Sequence, residues 1–246
     1  MVNVDRVYQR VLVLANKEQR GYITPQEFNL LANQAQMDTF EQYFYDLNQF
    51  RRLNGNDTIH SDIVTMLEEK ISLFEAEGTV NRFDTNPDPD IEEFVYNLSA
   101  SIPNLYRITN IRIYRNGNWR LVERVSKKDF RQMMLGPLTK TTSNRPVYTI
   151  DGTNNIITLY QAPPETITVD HIRRPNQVNW TFTMAGGTAI LNDSPAVGYQ
   201  DFDLHPSEET DLVMKILTLA GITIKDQGLY GIGAQEDNKN IQQEKQ

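Results

Sequence analysis

Apolar residues in the first part of the chain recur at the spacing of amphipathic helices. Val4, Val7, Tyr8, Val11, Leu12 and Ala15 stand three and four apart and share one face, and Gly21 is placed to end that helix in a left-handed conformation. A second helix start comes at Ile23-Thr24-Pro25-Gln26-Glu27-Phe28. Thr24 can cap, Pro25 suits the first helical position, Glu27 can reach back to the cap's amide, and Ile23 with Phe28 can close a hydrophobic staple. The helix opened there is expected to carry Phe28, Leu31, Ala32, Ala35, Phe40, Tyr43, Phe44, Leu47 and Phe50 on one side and to end near Asn54-Gly55-Asn56. The short loop between the two implies an antiparallel hairpin. Near the other end, Pro206 to about Asp226 repeats the pattern. Glu208, Glu209 and Asp211 complement the dipole of its first turn, and Leu212, Val213, Ile216, Leu217, Ala220 and Ile224 form an apolar side expected to pack on the hairpin.

Between these helices the period changes. Residues 58–83 predict a short helix around Met66-Leu67-Glu68-Glu69-Lys70 and then extended chain, and Asn86-Pro87-Asp88-Pro89-Asp90 reads as a turn or linker. Tyr106–Arg115 alternates, Asn116-Gly117 is a hairpin dipeptide, and Trp119–Arg124 returns as a second strand. Ser126–Arg131 predicts a capped short helix, and strands are expected at Val147–Ile150, Ile156–Tyr160 and Ile167–Ile172. A polar, glycine-bearing loop comes next, from about Pro175 to Leu204.

The expected class is therefore α+β. Residues 1–100 plus 205–228 should form a helical bundle with Val7, Val11, Phe28, Leu31, Phe40, Phe44, Leu47, Leu212, Ile216 and Leu217 in its core. Residues 101–204 should form an inserted small antiparallel β domain with long loops, and 229–246 an extended C-terminal tail. That tail is polar but for a few residues and cannot bury enough surface alone, so it is expected to order only on a partner.

Composition narrows the function. The chain has 246 residues, 39% of them hydrophobic, enough to bury a real core. It has no cysteine, which removes thiol catalysis, disulfides and thiolate metal sites and suits a reducing cytoplasm. The start lacks a basic region followed by an apolar run, and no stretch approaches the roughly 20 apolar residues of a membrane span, so no membrane role is expected. The net charge of −8 argues against general nucleic-acid binding, but it is unevenly spread. Residues 1–100 carry 8 basic and 17 acidic side chains, 101–145 carry 10 and 2, and 146–246 carry 6 and 13. Such segregation can steer DNA or let one copy's basic face meet another's acidic face.

Catalytic chemistry has no sequence signature here. His60, His171 and His205 fall in different predicted elements, without the i, i+4 partner of a helical zinc site. Asp84, Asn86, Asp88 and Asp90 alternate like the start of a calcium loop, yet Pro89 and Val95 stand where glycine and glutamate are needed. Gly228, Gly231 and Gly233 come after a helix, whereas a dinucleotide fingerprint opens one. The acid pairs Glu68-Glu69, Glu92-Glu93 and Glu208-Glu209 diverge by about 100° on a helix and read as solvated faces. No cofactor, metal or enzymatic activity is expected.

Two blocks carry a resemblance. Asn16-Lys17-Glu18-Gln19-Arg20-Gly21-Tyr22-Ile23-Thr24-Pro25-Gln26-Glu27-Phe28-Asn29, continuing through Phe40-Glu41-Gln42-Tyr43-Phe44-Tyr45-Asp46-Leu47-Asn48, resembles the opening of structural proteins of crAss-like and related podophages. Leu204–Ile222 is similar to the C-terminal helix of the same group. The resemblance implies a head-to-tail adaptor in the virion, a ring of twelve copies beneath the portal, assembled in the host bacterial cytoplasm. Its implied partners are its own copies, the portal protein, the next tail ring or tail protein, and, transiently, exiting DNA. In that setting Gln235, Asn238, Asn240 and Ile241 are expected to dock the portal. Arg107, Arg112, Arg115, Arg120 and Arg124 are expected partly to serve the contact with acids of the neighbouring subunit, since a closed ring joins two different surfaces. The alternatives are another ring or tail-tube component that does not touch the portal, and an accessory DNA-binding protein using the basic 101–145 segment.

Overall fold

The computed structural model describes residues 1–17, 23–52, 58–81, 93–142, 144–151, 156–160, 166–186 and 188–223. In chain order the elements are α1 (Val4–Lys17), α2 (Pro25–Arg52), α3 (Thr58–Ser72), β1 (Glu75–Thr79), β2 (Glu93–Asn97), α4 (Leu98–Ser101), β3 (Leu105–Arg115) and β4 (Asn118–Leu121). They continue with β5 (Glu123–Arg124), α5 (Lys127–Leu135), β6 (Val147–Asp151), β7 (Ile156–Tyr160), β8 (Thr166–Arg173), β9 (Phe182–Ala185), β10 (Thr188–Leu191) and α6 (Glu209–Thr223). The fold is a mixed α+β one. It divides into a first unit of Met1–Leu73 with Pro175 onward and a second of Phe74–Arg174.

In the first unit the predicted capping box is formed. The Thr24 amide donates to Glu27 Oε2 at 3.0 Å and the Glu27 amide to Thr24 Oγ1 at 3.3 Å, with Ile23 and Phe28 both buried. The Thr24 amide, and then the Thr24 hydroxyl donating to Glu27 Oε2 at 2.8 Å, hold the Glu27 carboxyl below its ordinary pKa. The start of α1 is tied to a distant segment, where the Val4 amide donates to Asp201 Oδ1 at 2.7 Å and Val2 bridges Phe202. α6 packs on α1 and α2, and α3 on α2. Val7, Val11, Phe28, Phe40, Leu212, Ile216 and Leu217 are buried as expected, but Leu31, Phe44 and Leu47 are only half-buried. The reason is phase. The buried line of α2 runs Phe28, Ala32, Ala35, Thr39, Tyr43, Asp46, Phe50, so it takes in polar residues that an apolar count passes over.

Polar side chains of α2 also organise the segment after Arg174. Asn33 Oδ1 accepts the Val178 amide at 2.8 Å while its Nδ2 donates to the Val178 carbonyl at 2.9 Å. Asn29 does the same to Trp180, at 2.9 and 3.1 Å. Gln36 Nε2 donates to the Asn176 carbonyl at 2.8 Å, and its Oε1 accepts the Asp203 amide at 3.0 Å. A helix rises about 6 Å in four residues and a strand about 6.7 Å in two, so side chains four or three apart on α2 match every second residue of the extended segment. The carboxamides thus act as an extra strand. The segment expected as a polar loop is therefore bound along α2, and it buries Trp180 against Tyr8 with ring centroids 4.4 Å apart.

The second unit is not one small sheet but two four-stranded ones, ordered β1-β8-β3-β4 and β2-β7-β6-β5. All their pairings are antiparallel except β5–β6, which is parallel. The inner faces close on one core that includes Phe94, Tyr96, Leu98, Ile111, Ile113, Tyr148, Ile157, Leu159, Ile167 and Val169. On the far face of the second sheet, Phe130 of α5 stacks on Tyr160 at 3.7 Å beside Val147. The predicted hairpin turn is present, with Asn116 and Gly117 at φ 50° and 76°, and Ser126 caps α5. Chain exit and return are neighbours, since β1 pairs with β8 and the Arg173 amide donates to the Phe74 carbonyl at 2.8 Å.

The expected boundaries at 100/101 and 204/205 are thus displaced to 73/74 and 174/175. Residues 75–79 gain their strand partner in β8, and residues 175–204 fall in the first unit, where Asn176, Val178, Trp180 and Asp203 bond the carboxamides of α2.

Candidate protein-interaction surface

The five predicted arginines meet different fates. On β3, Arg112 lies opposite Ile111 and Ile113, on the outer sheet face, where its Nη2 contacts Asp170 Oδ1 at 2.6 Å and Glu77 Oε1 at 3.2 Å. The Asp170 hydrogen bond is the main reason that its pKa is raised. Its guanidinium also lies 5.6 Å from the Trp119 ring centroid, and that ring is 5.1 Å from Tyr114. Arg120 donates to Asn144 Oδ1 at 2.6 Å. These two are engaged within their own chain. Arg107 and Arg124 are exposed and Arg115 half-buried, and no described acid pairs with any of the three. Arg124 acts on Tyr148, whose hydroxyl pKa burial raises and this charge partly lowers.

The acid pair opening α6 is also corrected. Glu208 is buried, with Lys70 Nζ of α3 at 2.7 Å, while Glu209 meets Arg10 at 2.8 Å and Arg6 at 3.3 Å from α1. The two carboxylates do diverge, each toward cations of a different helix. His171 is buried with Nδ1 3.2 Å from the Val169 carbonyl, and His205 accepts the Ser207 amide at 3.2 Å, so each serves its own unit. Among the described residues no group of His, Asp and Glu is arranged to hold a metal ion, and no helix is long and apolar enough to cross a membrane. The calcium-like run 84–90 and the tail residues Gln235, Asn238, Asn240 and Ile241 lie outside the described residues.

The structure adds surface features that hydrophobic periodicity passes over. α5 turns Phe130 inward and leaves Lys128, Arg131 and Leu135 exposed, at spacings of three and four that share one face. Leu135 is 86% and Leu138 98% exposed, the highest values among the large hydrophobic residues described. Their turn is tightly built. The Gly136 amide donates to the Met133 carbonyl at 3.3 Å, the Lys140 amide to the Gly136 carbonyl at 3.0 Å, and Thr139 Oγ1 to the Met133 carbonyl at 2.9 Å. A Cβ on Gly136 would sit 2.4 Å from Thr139 Oγ1. Leu-Gly-Pro-Leu directly after a basic helix was the available sequence signal.

A second exposed line runs along α2. Leu30, Gln34, Asp38, Glu41 and Tyr45 are four, four, three and four apart and all exposed, Leu30 at 74% and Tyr45 at 59%. The first unit as a whole carries 11 basic and 20 acidic side chains and the second 13 and 12. In comparisons with known proteins, no protein-family model and no curated protein matches this chain.

Proposed function

We propose that this chain is a non-enzymatic structural subunit of a tailed phage of the crAss-like type, a head-to-tail adaptor. In this reading it forms a homo-oligomeric ring, with twelve copies implied by the resemblance. The ring binds the portal, meets the next tail component on its other side, and surrounds the path of exiting DNA, with residues 229–246 as the portal-docking segment. The observation that carries the reading is the distribution of charge. A unit of net −9 is joined to one in which segment 101–145 holds +8, and Arg107, Arg115 and Arg124 remain unpaired by any described acid. Two unlike surfaces of opposite sign on one chain are what heterologous self-association needs.

Electron microscopy of the purified full-length protein tests this, with rings of one size as the expected result. Co-purification with portal protein then separates an adaptor from a ring lower in the tail. A species that stays monomeric at every concentration overturns the proposal. The same arginines favour accessory DNA binding as the second reading, for which duplex binding must weaken steeply with salt.

A further inference from the structure

We infer that the turn after α5 is one half of the contact between neighbouring copies, and that the exposed line of α2 on the next copy is the other half. This rests on the ring reading and goes beyond it by naming both surfaces. One side offers two leucines, Leu135 and Leu138, beside Lys128, Arg131 and Lys140, all exposed. The other offers Leu30 and Tyr45 at its ends with Asp38 and Glu41 between them. Leu30 and Tyr45 stand about 22 Å apart along the helix, so the leucine turn seats against Tyr45, where apolar meets apolar while the cations beside it reach the carboxylates of Glu41 and Asp38, and the signs are opposite as docking requires.

The leucines are not strays on a slack loop. Backbone and hydroxyl hydrogen bonds close the turn around Gly136, so the shape presented to a partner is formed in advance and little ordering is needed on binding. Nor is the cationic side consumed at home, because the acids nearest in sequence are engaged elsewhere. Glu123 pairs with Arg145 at 2.9 Å, and Asp129 accepts from Ser126 in the α5 cap. Among the described residues, Glu41 of α2 has no cation against it and Asp38 accepts from Gln34 alone, at 3.0 Å. The occupant is thus a second copy of this chain, with the turn of one on α2 of the next.

The test uses the full-length protein, with assembly followed by light scattering and electron microscopy over a concentration series. Leu135→Asp and Leu138→Asp, both at positions that bury little in the monomer, should each raise the half-assembly concentration roughly tenfold or more while leaving the melting temperature of the monomer nearly unchanged. Arg131→Glu and Glu41→Arg should each weaken assembly, and the two together in one chain should restore it. If wild-type rings form and the leucine variants assemble equally well, the contact is wrong and the ring reading stands. Failure of the charge exchange to restore assembly removes α2 as the counterpart and overturns the inference. A wild-type protein that never assembles overturns both.

Discussion

Removing the Asn33 carboxamide should loosen the segment that runs along α2. In Asn33→Ala the Val178 amide and carbonyl lose partners at 2.8 and 2.9 Å. A buried backbone group left unpaired costs about 1–3 kcal/mol, and the site is part-buried, so water relieves some of that. The expected loss is about 2–3 kcal/mol for the pair of bonds. Asn29 and Gln36 continue the same ladder, so their losses should not add independently of Asn33.

Trp180 makes the effect readable. It is buried, next to Tyr8, and its Nε1 donates to Asp5 Oδ1 at 2.9 Å. The only other tryptophan, Trp119, is half exposed in the second unit. In a Trp119→Phe background, urea unfolding followed by fluorescence therefore reports on the first unit alone. Asn33→Ala should lower the midpoint with little change in slope, and the Val178 and Trp180 amides should exchange with deuterium faster while those of α1 hold. An unchanged midpoint with unchanged exchange at Val178 would mean that apolar contacts, not the carboxamides, hold the segment.

Two further outcomes are expected. Lys70→Met strands the buried Glu208 carboxylate and should destabilise the first unit by about 3 kcal/mol in chemical denaturation, whereas Lys70→Met with Glu208→Leu should recover most of it; equal loss in single and double variants would refute the pairing argument. Tyr199 has its hydroxyl pKa pushed up to about 12, from 10.0 in the free side chain, chiefly by burial and then by its bond to Asp201. The unfolded chain therefore loses that proton first. The contribution is whole below pH 10 and drains away as pH rises toward about 12, so Tyr199→Phe should show a shallower fall of melting temperature across that window, and parallel curves would sink the assignment.

Much of the fold was legible because local chemistry and tertiary structure agree. Thr24-Pro25-Gln26-Glu27, Asn116-Gly117 and the Ser126 cap each satisfy backbone groups within a few residues, so their meaning does not depend on the rest of the chain. The α2 stripe was legible in type and misjudged in phase. Gln36, Thr39 and Asp46 are buried, and polar residues are assigned outward by any reading based on hydrophobic period alone. Pairings that join distant residues were invisible. Glu75–Thr79 becomes a strand because β8 lies roughly 90 residues onward, and the inner sheet face tolerates Gly78, where a Cβ would press on Ile102 at 3.0 Å.

The candidate surface divides in the same way. Charge segregation is a property of composition and could be counted, but which arginines remain available depends on strand register. Arg112 is diverted because β8 brings Asp170 and β1 brings Glu77 to its outer face, and neither neighbour is near it in sequence. Leu135 and Leu138 could be read as core from their type. Only the packing of Phe130 against Tyr160 decides that α5 turns the other way.

Magnitudes limit how the proposed contact could work. Burying two leucines yields about 3–6 kcal/mol, while association itself costs about 4–15 kcal/mol in lost freedom of motion, and exposed ion pairs add at most about 1 kcal/mol each. A single contact of this kind is therefore weak. In a closed ring the last subunit is held on both sides, and its second contact forms at a high effective concentration, so the closed state gains far more than the pair does. Assembly through this surface should then pass from monomer to ring over a narrow concentration range with few dimers between. Abundant stable dimers would mean that some other, larger surface joins the copies, and that the two leucines serve a different partner.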